Sequence, residues 1–152
     1  MPGRSQLPGK RLEVPVKGRC TAFNSMKNLV LTLLSDKLGV CRLRSGVPLP
    51  DWLFDSRNFY SVTVTVDETS IVCREELIPA DCPFEKGFRA LKVEGPLDFS
   101  LTGILATLLV PLAAAAISVF TVSTYDTDYI LVKEENLEKA ISALCAVAII
   151  NR

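Results

Sequence analysis

No histidine occurs among the 152 residues. The side chain that most often acts as general base and most often ligates a metal is therefore missing. Every triad, dyad or zinc site built on imidazole is excluded. None of the eight glycines falls into a G-x-G-x-x-G pattern and no Walker lysine motif is present, which removes the two commonest phosphate cradles. The five cysteines, Cys20, Cys41, Cys73, Cys82 and Cys145, include no C-x-x-C pair, so metal-ligand spacing and a thioredoxin-like motif are absent as well. No secretory signal opens the sequence, and the thiols are expected to be reduced, mostly buried small hydrophobes in a cytoplasmic protein. Net charge is also lacking. Seventeen basic residues balance seventeen acidic ones, whereas a general nucleic-acid binder carries a basic excess.

What is present is apolar. At 49% hydrophobic and 22% charged, the chain can bury the core of one domain, or of two small halves that share a core. The charge is unevenly spread. Residues 1–27 hold Arg4, Lys10, Arg11, Lys17, Arg19 and Lys27 against Glu13 alone, a local net of +5 that leaves −5 for the remainder. This leader also carries Pro2, Gly3, Pro8, Gly9, Pro15 and Gly18 and shows no apolar period. It reads as a flexible basic extension over residues 1–26.

Phe99 to Tyr125 is a run of 27 residues without a charge, long enough to raise a membrane span. Pro111 in mid-run, a change from Ala-rich to β-branched composition at Ile117, and the lack of basic flanks oppose one. The run parses instead as a buried helix over about 102–115 and a strand over about 117–124, with no membrane partner.

Two segments repeat each other. Ser61-Val62-Thr63-Val64-Thr65-Val66, a turn, and Ile71-Val72-Cys73-Arg74-Glu75-Glu76-Leu77 form one. Ser118-Val119-Phe120-Thr121-Val122-Ser123, a turn, and Ile130-Leu131-Val132-Lys133-Glu134-Glu135 form the other. Each predicts a β-hairpin leading into a helix start whose acidic pair suits the dipole. The copies lie 57–59 residues apart, with the second turn read as two residues longer. Around the second hairpin, a strand over 87–95, a helix carrying Ile104, Leu105, Leu108, Leu109 and Leu112, and a helix from about Glu134 give β-α-β-β-α. Residues 146–150 are either the helix end or a last strand. This is the ferredoxin-like split βαβ order, an antiparallel sheet with helices on one face. The first copy is degenerate: Leu29–Leu34 and Val40–Leu43 are strand-like, but Val47 to Phe54 leaves room for only a short helical turn, with Trp52 and Phe54 expected as a core plug. The fold class is thus α+β, with a leader (1–26), an N-terminal half (27–84) and a C-terminal half (85–152). The first helix of the C-terminal copy is apolar nearly all round, which predicts packing against the other half or a second subunit.

Two places can carry ligand chemistry. At Leu101-Thr102-Gly103-Ile104 a strand-to-helix turn can offer backbone N–H groups to an anion, or Ser100 or Thr102 can simply cap the helix. At Asp126-Thr127-Asp128 two acids can hold an ammonium or guanidinium group or Mg²⁺, or Asp126 can make an Asx-type turn. Lys86, Arg89 and Lys92 read as a solvated strand face, and the Glu75-Glu76 and Glu134-Glu135 pairs as helix-start charges.

Three runs carry a family resemblance: residues 67–73, Ala90 through Ser100 leading to Thr102-Gly103-Ile104-Leu105, and Ile117 through Glu135. Over about residues 28–147 the chain resembles the ACT domain family, specifically its two-copy branch related to the cytosolic arginine sensors. The resemblance implies two ferredoxin-like halves that bind a small regulatory molecule, usually an amino acid, without being catalytic. It implies that Thr102, Gly103 and Ile104 line the ligand site, that Ser123, Thr124 and Tyr125 are strand-end contacts, and that Asp128, with Asp126 and Thr127 beside it, meets the ligand's cationic group. The expected function is an amino acid-binding regulatory protein, a homodimer acting through a regulated protein partner, with no cofactor, metal, catalytic residue or nucleic acid. The rivals are a ligand-free dimerisation or adaptor module and an enzyme on a ferredoxin-like scaffold.

Overall fold

A computed structural model describes residues 29–57, 59–98 and 101–152. The leader assigned to residues 1–26 lies outside them. In chain order the elements are β1 (Leu29–Arg44), a 3-10 turn (Asp51–Asp55), β2 (Ser61–Val64), β3 (Glu68–Arg74), a 3-10 turn (Glu75–Leu77) and β4 (Phe84–Val93). There follow α1 (Ile104–Ala114), β5 (Val119–Ser123), β6 (Asp128–Lys133), a 3-10 turn (Glu134–Asn136), α2 (Leu137–Leu144) and β7 (Ala148–Asn151).

All seven strands join one sheet in the order β2-β3-β1-β4-β6-β5, with β7 added parallel to the start of β1. The two stretches read as separate strands at 29–34 and 40–43 are one 16-residue strand. Its register against β4 slips between Leu33 and Lys37 and again between Leu38 and Val40. Such irregularities bend a strand and raise its twist. Here they carry one strand through both ends of the sheet. The division between residues 84 and 85 therefore falls at the first residue of β4, which pairs with β1 from Cys41↔Phe84 to Leu31↔Val93. The sheet curls until its outer strands meet around one small cleft, lined by Ser61 and Thr63 of β2 and by Phe120 to Ser123 of β5.

The hairpins repeat at one spacing. Ser61 pairs with Val72 and Val64 with Thr69, while Phe120 pairs with Leu131 and Ser123 with Asp128. This is a constant 59-residue shift, so the second turn is not longer than the first. The apparent difference arises from aligning Ser61 with Ser118, which precedes β5.

Helices α1 and α2 share one face of the sheet, where Ile104, Leu108, Leu112, Leu137, Ala140, Ile141 and Leu144 close over Leu31, Leu91, Val93, Ile130 and Val132. The opposite face packs Leu38, Val72, Ala90 and Leu131 with Phe59. In the N-terminal half a five-residue turn stands where α1 stands in the C-terminal half. Leu53, fully buried beside Cys41, Ile71, Cys73 and Ile78, fills that place. Trp52 packs alongside, but Phe54 is exposed and meets Tyr60 edge-on. The plug is therefore Leu53 rather than Phe54, because the middle residue of the turn is the one that points inward.

The uncharged run resolves into α1 and β5, and no helix among the described residues is long and apolar enough to cross a membrane. What stops α1 is a C-terminal lock. Ile117 N–H donates to Leu112 O (3.0 Å) and Ala116 N–H to Ala113 O (2.9 Å), with Ala116 at φ 54°. This is the Schellman arrangement, completed by the packing of Ile117 and Leu112 in the same core. Glycine is the residue usually found at the left-handed position, since a Cβ there is strained. Ala116→Gly is expected to raise stability by roughly 0.5–1 kcal/mol in urea denaturation, and Leu108→Ala to lower it by about 2–5 kcal/mol. A destabilised Ala116→Gly protein would show that the left-handed position carries no strain.

Candidate functional site

The β4–α1 loop and the β5–β6 hairpin turn meet at one end of the sheet and enclose a cavity of about 310 Å³. Each side is fixed by its own local chemistry. The hairpin turn is held by Thr124: its N–H donates to Thr127 O (2.8 Å), its hydroxyl to the same carbonyl (3.0 Å), and Thr127 N–H donates back to Thr124 Oγ1 (3.3 Å). The turn therefore rests on a threonine and not on an Asx turn from Asp126. The first hairpin is closed the same way, with Thr65 bonded to Glu68 O and to the N–H groups of Asp67 and Glu68.

The hairpin is then tied to the loop. Thr127 is buried and its hydroxyl donates to Val93 O at the end of β4. Leu97 N–H donates to Asp126 O (2.8 Å). Gly95 permits this approach, because a Cβ there would lie 2.7 Å from Asp126 O and 3.1 Å from Leu97 N.

The third wall is the start of α1. Gly103 is the residue before the helix, at φ 82°, and no side chain caps it. The cap expected of Thr102 is not made, and Ser100 lies outside the described residues. The first intrahelical bond runs from Thr107 N–H to Gly103 O (2.8 Å). The amides of Ile104, Leu105 and Ala106 thus precede any carbonyl one turn earlier and form the positive end of the helix.

Of the residues expected at a site, Gly103, Ile104, Ser123, Thr124, Tyr125, Asp126, Thr127 and Asp128 line this cavity. Thr102 is exposed beside it and does not. Leu97, Asp98, Leu105 and Leu101 of the strand-to-helix turn line it as well; Leu97 and Asp98 were not singled out as ligand contacts from sequence. Two leucines flanking Asp98 in a short loop after Gly95-Pro96 were the available signal, since apolar loop residues need a place to pack. An adjoining hollow of about 420 Å³ shares Leu97, Asp98, Tyr125 and Asp126 with the cavity.

The lining combines the first residues of α1, the aliphatic Leu97, Leu101, Ile104 and Leu105, and three acidic residues, Asp98, Asp126 and Asp128. None of the lining residues is basic. Ser123 Oγ donates to Asp128 Oδ1 at 2.5 Å, which aims the carboxylate and leaves it further acceptor sites.

Two of the described thiols are buried in the N-terminal core. Burial pushes the Cys41 thiol up to about 11 and the Cys73 thiol up to about 12, so neither forms the thiolate that covalent chemistry needs. No group of three or more acidic or thiol side chains among the described residues is arranged for a metal ion.

Residues 84–146 match the ACT domain family, and residues 36–81 match a second family described as an N-terminal domain. The crystal structure of protein Atu0741 from Agrobacterium tumefaciens is similar at 34% identity and TM-score 0.75, covering 82% of this chain and 95% of that one. The aspartate kinase of Clostridium acetobutylicum is similar at 11% identity and TM-score 0.58, over 77% of this chain and 34% of that enzyme. The regulatory subunit of aspartate kinase from Thermus thermophilus is similar at 10% identity and TM-score 0.52, over 74% and 93%. The last two show a shared fold.

Thr127→Val is expected to cost about 1–3 kcal/mol, because it leaves the Val93 carbonyl without its donor. Thr124→Val, in the exposed turn, is expected to cost less. Equal losses in thermal denaturation would mean that the turn, and not its tie to β4, holds the cavity wall.

Proposed function

Because this chain belongs to the ACT-domain family, with the Agrobacterium protein as a relative, we propose that it is a regulatory protein that binds an amino acid with a cationic side chain in the cavity between α1 and the β5–β6 turn. The observation that carries this reading is the make-up of the cavity lining: the first residues of α1, aliphatic side chains and three acidic residues, with no basic one. An α-carboxylate is stabilised by the N–H groups of Ile104 and Leu105 and by the helix dipole. The side-chain cation meets Asp128, with Asp126 beside it, in a charge-assisted hydrogen bond. An acidic amino acid is disfavoured, because three carboxylates and no basic residue line the walls.

The ACT match over residues 84–146 supports regulation rather than catalysis. The cavity holds no thiol, no histidine and no metal-binding cluster. It can hold a zwitterion in place. The signal passes to a partner protein through the surface that ligand binding orders.

That protein works as a homodimer on this reading. Helix α1 carries no charged residue along Ile104–Ala114, and its outward positions Ala106, Val110 and Ala113 are exposed and apolar. A second copy covers that face more favourably than water does. Sedimentation at micromolar concentration is expected to show a dimer, and a stable monomer overturns this element.

A thermal-shift screen against the common amino acids is expected to single out lysine, ornithine or arginine. Ligand at a hundredfold its Kd adds about 2.7 kcal/mol. Asp128→Asn keeps an acceptor for Ser123 and removes the charge. It is expected to weaken binding by about 1.5–3 kcal/mol, roughly ten- to a hundredfold in titration calorimetry. A response to aspartate or glutamate alone, or an unchanged Asp128→Asn affinity, would rule the cationic ligand out.

A further inference from the structure

Asp128 does not stand alone in the cavity. Ser123, the last residue of β5, faces it across the register of the hairpin, and the serine Oγ donates to Asp128 Oδ1 at 2.5 Å. Both residues line the cavity. The separation lies at the short end of the range for a hydroxyl on an ionised carboxylate.

This bond is not needed to build the hairpin. The first hairpin, 59 residues earlier, places Val64 opposite Thr69 at the same register. Its turn is held by Thr65 as the second is held by Thr124, and an exposed valine stands where Ser123 stands. The serine–carboxylate pair thus belongs to the half that carries the cavity, and its place is the cavity wall.

The consequence is one of acceptor geometry. An ionised carboxylate accepts at both oxygens. A guanidinium binds it best as a fork, with two parallel N–H bonds, one to each oxygen. On Asp128 that fork has to share Oδ1 with the serine hydroxyl. An ammonium group makes no such demand. It is a compact charge with three donors, so one N–H is served by Oδ2 alone. A second N–H has an acceptor in Ser123 Oγ, which spends its one proton on Asp128 and keeps its lone pairs.

We propose that Ser123 is a positioning residue that acts through Asp128 to select a ligand with an ammonium side chain, of the lysine or ornithine type, over one with a guanidinium. The assignment rests on the amino acid reading of the cavity given above and narrows it to one cationic group.

The test is titration calorimetry of L-lysine, L-ornithine and L-arginine into the full-length protein and its S123A, S123V and S123T variants, each first shown to be folded by thermal denaturation. The unsubstituted protein is expected to bind the better of L-lysine and L-ornithine about tenfold more tightly than L-arginine, the scale of one hydrogen bond to a charged group. In S123A, Oδ1 is released to the fork and the Oγ acceptor is lost. Affinity for the ammonium ligand then falls, affinity for L-arginine rises, and their ratio shrinks at least about threefold. S123V, which copies the first hairpin at this position, is expected to shift the ratio the same way and serves if S123A does not fold. S123T keeps the hydroxyl and restores the ratio. Following one ratio through the variants cancels the difference in length between the ligands.

A serine with a merely structural role would weaken all three ligands by a common factor. That result overturns the selection, as does a preference of the unsubstituted protein for L-arginine, and either leaves the cationic-ligand reading standing. If none of the three ligands binds the unsubstituted protein, that reading falls and the selection falls with it.

Discussion

The antiparallel pairing of β1 with β4 is the constraint on which the other elements depend. These are the two longest strands, of 16 and 10 residues, and each is flanked by the hairpin of its own half. One end of β1 holds β3 and so the first hairpin, and β4 holds β6 and so the second. The other strand pairing between the halves is the parallel one of β7 with the start of β1. The irregular register where the strands cross is a place where buried polar backbone must be satisfied by side chains. Arg89 donates to Leu34 O (3.1 Å), and Glu75 accepts from Gly87 N–H (2.8 Å).

Those two bonds reveal a cross-tie between repeats. Glu75 follows β3 of the first half yet bonds to β4. Its counterpart 59 residues later, Glu134, follows β6 of the second half and pairs with Lys37 of β1 (2.7 Å) and Arg89 (3.6 Å). The Lys37 ammonium holds the Glu134 carboxyl below its ordinary range. The pair is exposed, so its energetic contribution is small. Its structural meaning is that each half reaches over the crossing to the other.

Much of this was legible from residue pattern. The hairpins and the parsing of the uncharged run into helix and strand follow from periodicity, β-branched composition and the order of elements, while the meeting of Gly103 with Asp126 and Asp128 was implied by the family resemblance. Three features were not legible. The continuity of β1 was hidden because Ser35-Asp36-Lys37 reads as a break, and only the bulged register lets polar residues sit inside one strand. The equal length of the turns was hidden because Ser61 and Ser118 look alike, although one lies inside its strand and the other before it. Leu97 and Asp98 were overlooked as site residues because a loop has no period to read.

The same comparison explains why the repeat gives one candidate site rather than two. The hairpin turns are built alike by Thr65 and Thr124, so turn chemistry does not separate the halves. What differs is what stands opposite the turn and at the first residue after it. Thr69 occupies the position of Asp128, and it is buried. A five-residue 3-10 turn replaces the eleven-residue α1, so the first half has neither the carboxylate nor the dipole of a regular helix facing it. The space that would have been a second cavity is occupied instead by Leu53, Ile71 and the two unreactive thiols of Cys41 and Cys73. The first half stabilises β1 and so fixes the far side of β4, against which the Thr127 hydroxyl anchors the one turn that carries acidic groups into a cavity.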